Sequence, residues 1–572
     1  MIKLKSKLTI DRESSFMFKV VITSAIACLC VFPMHSAKAQ NSGADALRNI
    51  EQSRQALPRP ISKPLQTLPS PISSGEQGFA RLKEVKVESS LFQQELLSFW
   101  TSSINKPVTS QKVSEFKAFA WELFQSKGYL AYINTSAKST AEGTELTVSI
   151  SRPVVGKVTV VTVEGDKGKE FADEVARRFS EIYKTGTPVD VAGFDAQLNA
   201  TAYDLPVDLE ISMRQVNSAV VDVVIALRLT GVAPGTILGG IVQGNNYGLS
   251  QFGRSQALAS VRIAGFTPQS ELALTTQLAQ GVRYGRAEYD APLEGTGMHL
   301  RAYIAHVKSK ANDTKNDSLE TGIGLNKLLS VDRYGRWTGI VEVSHRESEA
   351  WAASGVQSSF HKDDQVRLRL RAESQKDWVD NFRNEITLYS GKTDLSANSA
   401  DQESDAKQYR TAGSYQILET RGGMSHGLDQ DKLYTASMRW VGQLTTRNLE
   451  SYNNMSLGGI LGVRAFTTID GVGDQGLVAQ FDLTRQITPS FYVGALYDIG
   501  VVKAHKFNSY PTVDDNTPYT LQGAGWQVGG QVDQLSWNFS IAKSFGQQPV
   551  YWQTNQTAWG SWRGNFVTTW TF

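Results

Sequence analysis

The chain has 572 residues, with 58 Lys and Arg against 56 Asp and Glu and a formal net charge of +2. That balance excludes the basic surplus by which a protein grips a nucleic-acid backbone. After residue 39 no stretch holds 18 consecutive apolar residues, so no helix in that part is built to span a bilayer.

The first residues form a basic stretch (Lys3, Lys5, Lys7, Arg12, Lys19), an apolar run over 20–32 and Ser36-Ala-Lys-Ala39. This is the pattern of a signal peptide over 1–39, with cleavage leaving Gln40. Its 13 apolar residues are too few to cross ~30 Å of hydrocarbon as a helix. Both cysteines, Cys28 and Cys30, lie inside this leader. Lipoprotein cleavage before Cys28 is the competing reading, and Ala25 stands where a Leu is usually wanted. The mature chain then has no cysteine, hence no disulfide and no thiolate metal site. Removing the leader takes away six basic and two acidic residues, and the formal charge falls to −2.

Residues 40–57 read as a short polar helix with a thin stripe of Leu47, Ile50 and Leu57. A helix this polar belongs in water or in a polar cavity. Five prolines (58, 60, 64, 69 and 71) make 58–78 a stiff extended linker.

Two similar units follow, over 79–153 and 154–232. The first runs as a strand at 82–87, helices near 91–100 and 114–125, then two strands ending at Ile150, with Gly128 free to take a left-handed helix cap. The second repeats the order, with a strand at 157–163, helices at 169–183 and 191–201, and strands at 209–216 and 219–229. A β-α-α-β-β order twice in tandem suggests POTRA modules; two generic α+β domains are the bland alternative.

From Gly235 the helical period disappears and segments of about ten residues alternate in polarity. In 365–372, Val366, Leu368 and Leu370 oppose Arg367, Arg369 and Arg371. Three arginines on one strand face cannot enter lipid, so they face a watery lumen. The chain closes on Phe566, Thr568, Trp570 and Phe572, sharing one face of a final strand whose aromatic residues suit the membrane interface. The fold class expected is a transmembrane β-barrel over 235–572, with about sixteen antiparallel strands after two α+β modules. An even count returns the C-terminus to the side where the N-terminal modules hang. A soluble two-sheet sandwich is the alternative, which the arginine face and aromatic ending oppose.

Several strings mimic enzyme motifs. Gly471-Val-Gly-Asp-Gln-Gly476 fits a dinucleotide loop, yet an alternating strand follows it rather than a helix. Ser390-Gly-Lys-Thr393 resembles the end of a phosphate loop, but Ile386 replaces its first glycine. The six histidines after the leader show no metal spacing, and no nucleophile–base set is present, so no catalytic residue, metal or cofactor is expected.

One long connection, about 446–475, lies between the expected strands 11 and 12 and carries Gly458-Gly-Ile-Leu-Gly-Val-Arg-Ala-Phe466. If the first strand runs outward, this is extracellular loop six, long and glycine-rich enough to fold back into a wide lumen. Arg464 is its clear charge near an apolar tip. In the expected strand 13 (490–500), Phe491, Val493, Ala495, Tyr497 and Ile499 face lipid, and parity turns Asp498 inward. A desolvated Arg needs a carboxylate with matching two-pronged geometry. Parity leaves open whether the two residues meet or stay solvated separately.

The ordered set Leu457-Gly-Gly, Val463-Arg-Ala-Phe466, Gly473-Asp474-Gln-Gly476 and Leu496-Tyr-Asp-Ile-Gly500 resembles the signature of two-partner secretion transporters (TpsB type, the haemolysin and adhesin secretion-activation family). Lys106-Pro-Val-Thr109, Lys127-Gly-Tyr129, Asn245-Asn-Tyr-Gly248 and Tyr289-Asp-Ala-Pro-Leu293 agree in order, so the likeness spans nearly the whole mature chain. One departure is Ala465, where the family usually has Gly, a residue that tolerates positive φ. The resemblance implies a pore in the outer membrane of a Gram-negative-type cell, POTRA modules in the periplasm, and a plug made of the 40–57 helix and loop six. It casts Arg464 and Asp498 as a loop-to-wall ion pair. It implies a secreted, β-helical exoprotein (TpsA type) as partner, and insertion by the barrel assembly machinery with Phe566, Trp570 and Phe572 as signal. The runner-up is a factor that inserts other barrels. A plain porin would not need the periplasmic modules.

Overall fold

A computed structural model describes residues 39–55, 78–89, 91–163, 169–217, 219–230, 232–293, 296–311, 314–332, 334–376, 379–509, 516–546 and 557–572. Residues 1–38, where the signal peptide is expected and where both cysteines lie, Leu57, and the proline-rich segment up to residue 77 lie outside the described residues.

The chain after residue 78 builds two small α+β modules and a closed barrel. In the first module, strand Leu82–Glu88 runs parallel to Gly143–Ser151, which pairs antiparallel with Tyr132–Thr140. Helices Gln93–Trp100 and Ser110–Ser126 cover this sheet, and Leu96, Trp100, Phe116, Phe124, Leu146 and Val148 form its core. The second helix starts four residues before the expected 114. Thr109 caps it, accepting from the Lys112 amide at 3.2 Å, and a hydroxyl at that position satisfies one of the open amides of the first turn. At its far end Gly128 has φ of 82°, the left-handed turn that only glycine takes without strain. The second module repeats the layout, with Val154–Thr162 parallel to Val220–Leu229 and Val207–Gln215 antiparallel to it. Its helices Lys169–Ile182 and Val191–Asp204 meet through Tyr183 and Phe194, stacked at 3.7 Å.

Sixteen antiparallel strands then close on themselves, from Ile237–Asn245 to Trp562–Thr571. The last strand pairs with the first from Val567 with Asn245 to Thr571 with Ile241, and Phe572 and Gly240 exchange backbone hydrogen bonds of 2.9 and 3.0 Å. Closure leaves no unpaired edge, the condition for a sheet in hydrocarbon. The outward face is apolar: Val366, Leu368 and Leu370 are 44%, 49% and 38% exposed, while Arg367, Arg369 and Arg371 line the interior. Phe566, Trp570 and Phe572 also point outward, with the last two rings 4.9 Å apart.

Two features differ from the sequence expectation. Strands do not stop at ten residues; strand eight, Gln357–Lys376, has 20. A bilayer needs about 9–11 tilted residues, so such strands rise beyond it, and there His361, Asp363 and Asp364 break the apolar alternation that marks the embedded part. A helix, Ser399–Lys407, also stands in a barrel connection. Its sequence, SADQESDAK, has no apolar period to betray it, and the Asn398 side chain capping the Asp401 amide sets its start.

The second module is seated on one rim of the barrel. The Asp204 carboxylate accepts from the Gly297 amide at 3.1 Å and pairs with Arg178, while the Tyr203 ring lies 4.9 Å from His299. Among the described residues no helix is long and apolar enough to cross a membrane. The helix Ala39–Gln55, called α1 below, lies inside the barrel.

Candidate functional site

Loop six leaves strand eleven (Tyr434–Thr445) and returns as strand twelve (Gln475–Thr488). Between them the chain makes one 3-10 turn, Ser451–Asn453, and a two-residue ladder of Met455–Ser456 with Val472–Gly473. The tip between these short strands is tightly folded. A Cβ at Gly458 would lie 1.9 Å from the Thr467 carbonyl oxygen, and Gly459 has φ of 96°, so both positions require glycine.

That fold delivers Arg464 to the barrel wall. Its guanidinium straddles the Asp498 carboxylate, with Nη2 to Oδ1 at 2.6 Å and Nε to Oδ2 at 3.0 Å. Its own backbone amide donates to the same Oδ2 at 2.8 Å. Nη1 reaches a second carboxylate, Asp482 on strand twelve, at 2.7 Å. Arg464 is 2% exposed and Asp498 0%. One guanidinium thus meets two buried carboxylates with near-ideal forked geometry. The wall grips the loop backbone as well: Gln480 donates to the Ile460 and Gly462 carbonyls at 2.9 and 2.7 Å, and Asn565 of the last strand donates to the Arg464 carbonyl at 3.0 Å.

Val463, Ala465 and Phe466 are all fully buried beside the ion pair, and Phe466 meets the Trp559 ring edge-on at 5.4 Å. Ala465 is not among the described residues with positive φ, so its methyl group costs no backbone strain here. That methyl packs against Gly523 of strand fourteen, where an added Cβ would come within 2.9 Å of it. Gly473 is equally confined, by the Lys503 carbonyl. Asp474 is buried and accepts from the Leu449 and Lys506 amides at 3.1 and 2.8 Å, joining both ends of the loop to the following connection.

Helix α1 occupies the remaining lumen. Its apolar residues Leu47 and Ile50 pack with Leu249 and Phe252 of the connection between strands one and two and with Val282, Tyr284 and Val307 of strands four and five. Its polar side chains find wall and loop: Asn49 bonds to Gln256 and donates to the Tyr247 carbonyl at 2.8 Å, while Arg48 and Gln52 donate to the Ser451 and Gly458 carbonyls at 2.7 and 2.9 Å. The polarity that bars this helix from an apolar core matches it to a polar lumen.

Across from loop six, strands four to ten carry a wall of arginines and glutamates. Glu320 takes Arg346 at 2.8 Å and Arg367 at 3.0 Å; Glu385 takes Arg371 at 2.8 Å and Arg369 at 3.2 Å; Glu373 takes Arg336 and Arg383, both at 2.7 Å. Together with α1 this wall bounds a cavity of about 670 Å³. Outside this lining His361 sits between Asp401 of the connection helix and Glu450 of loop six, at 2.5 and 3.2 Å. Among the described residues no group of His, Cys, Asp or Glu is arranged to hold a metal ion. The string 471–476 falls at the loop's return and 390–393 within strand nine, Val379–Asp394.

The residues that sequence reasoning missed are Asp482, Gln480, Asn565 and the His361 cluster. Strand parity could have found the first two, since Leu477, Phe481 and Leu483 alternate outward and leave Gln480 and Asp482 inside. The His361 contacts join three distant segments, and no local pattern announces them.

No protein-family model matches the chain, and no curated protein matches it in sequence. Among solved structures, CdiB from Acinetobacter baumannii aligns over 94% of this chain and 100% of its own, with a TM-score of 0.57 and 13% identity. CdiB from Escherichia coli aligns over 99% of this chain and 100% of its own, with a TM-score of 0.54 and 13% identity. BamA from Haemophilus ducreyi lacking POTRA domains 1-3 aligns over 86% and 100%, with a TM-score of 0.50 and 13% identity. At that identity the likeness is one of fold: this chain has the barrel architecture of CdiB and BamA.

Proposed function

We propose that this chain is an outer-membrane pore that recognises and secretes one large unfolded partner protein, the two-partner secretion role that its motifs resemble. The observation that carries the reading is the buried contact of Arg464 with Asp498 and Asp482, which ties a loop inside the lumen to the barrel wall. A passive pore has no use for a lumen filled by a loop and a helix. A transporter that opens for one client does, because the barrier must be held and then cleared. The CdiB fold likeness and the two preceding modules support the same role.

In this reading the modules hang in the periplasm and capture the partner by pairing its extended backbone with a free sheet edge. Helix α1 leaves the lumen, and the partner threads outward and folds into a β-helix outside, which supplies direction without a nucleotide. Arg464 and Asp498 act as a latch on loop six rather than as reacting groups. Phe566, Trp570 and Phe572 serve insertion by the barrel assembly machinery.

The test is Arg464→Ala. The variant should appear in the outer membrane as a heat-modifiable barrel, while the partner no longer reaches the medium. Wild-type export would sink the latch.

A second reading, a factor that inserts other barrels, draws on one specific observation. The ladder closing the barrel registers five residue pairs, against nine between the last two strands, so the seam is the weakest joint in the wall. Co-purification with many barrel precursors instead of one exported protein would favour that reading.

A further inference from the structure

The cavity beside α1 has a lopsided lining. Eleven arginines border it against six glutamates, and adding Asp45 and Glu288, which pair with three of those arginines, still leaves the cations in excess. The cause is visible in the pairing: Glu320, Glu373 and Glu385 are each shared by two guanidiniums. One carboxylate cannot neutralise two cations, nor engage ten N–H donors. Arg301 Nε and Arg346 Nη1 are buried without a hydrogen-bond partner among the described residues, so donors as well as charge remain unmatched. Low-dielectric walls concentrate such a field in the water between them, and rings of arginine favour anions over cations in pores.

We propose that this lumen is an anion passage: it conducts small inorganic anions such as chloride in preference to cations, through the space between α1 and the arginine wall. The proposal rests on the barrel being membrane-embedded, as the secretion reading also does, but it needs neither a partner nor the departure of α1. The surplus charge is fixed by the wall, so the preference should persist when α1 shifts. It should weaken as salt rises, since ions screen the wall.

The experiment uses the purified full mature chain in planar bilayers of neutral lipid under an about tenfold KCl gradient. The reversal potential should take the sign of chloride permeation, with chloride favoured roughly twofold or more over potassium. Glu373→Gln removes an anion and should raise that preference. Arg336→Gln with Arg383→Gln removes two cations and should lower it, and heat-modifiability confirms that each variant is folded. Opposite shifts in these two proteins support the passage, because a structural disturbance has no reason to change sign. A potassium-selective or electrically silent wild-type chain overturns it, as do shifts in the same direction or none. Partner export by Arg464→Ala is scored separately, so either idea can fail while the other stands.

Discussion

Two regions of the lumen use the same pair of functional groups, guanidinium and carboxylate, in opposite ways. On strands twelve to fourteen a single arginine from a loop meets two carboxylates of the wall, is almost wholly dry, and carries its backbone amide and carbonyl into the same network. On strands four to ten the arginines belong to the wall itself, share their glutamates, and border open space. Losing one partner in the dry cluster strands a charge where water cannot reach it, which costs about 3–5 kcal/mol. The wall pairs are largely buried too, but they border the cavity and each shared glutamate keeps a second arginine, so a loss there leaves less charge stranded. The first cluster is therefore a fastening and the second a lining.

The largest effect should follow Asp498→Ala, which removes the two-pronged acceptor and leaves Arg464 with Asp482 alone. Loop six should become cleavable by protease added outside the cell while the barrel stays heat-modifiable, and partner export should fall at least about tenfold. Equal protease resistance in variant and wild type would erase the contrast between the two regions. Next comes Gly523→Val. Its branched side chain collides with the Ala465 methyl group, an overpacking expected to cost about 1–3 kcal/mol and to loosen the loop without touching a charge. Measured by the same protease assay, it separates shape from electrostatics in the fastening. Arg371→Gln on the cavity wall should be the mildest, shifting the unfolding midpoint by no more than about 1 kcal/mol equivalent and leaving export intact. A loss as large as that of Asp498→Ala would show that the arginine wall is structural.

Much of this architecture is legible in the sequence because lipid and lumen impose a period of two. The run from Val366 to Arg371 declares both faces of a strand in six residues, and the order of helices and strands over 79–229 declares the modules. Parity also places Asp498 inside the barrel, and the same rule applied to strand twelve would have placed Asp482 there. It does not say which loop residue meets them, since loop six spans about 30 residues without a period and its path is set by tertiary contacts such as Gln480 with Gly462. The helix Ser399–Lys407 was invisible for the same reason, being held by its cap and by Asp405 rather than by an apolar stripe. Ala465 was read as a possible conflict with a glycine position; the facing Gly523, far away in sequence, supplies the room.

The most direct test of the fastening exploits the absence of cysteine after Cys30. Ala465→Cys and Gly523→Cys, added to Arg464→Ala, place two Cβ atoms 2.9 Å apart, closer than the usual ~3.5–4.5 Å of a disulfide, so the loop must yield slightly for the bond to form. If the ion pair serves to hold loop six against the wall, oxidation should restore partner export to the Arg464→Ala chain and reduction should abolish it again. Export that stays absent in the cross-linked protein, or is already normal before oxidation, would contradict the account.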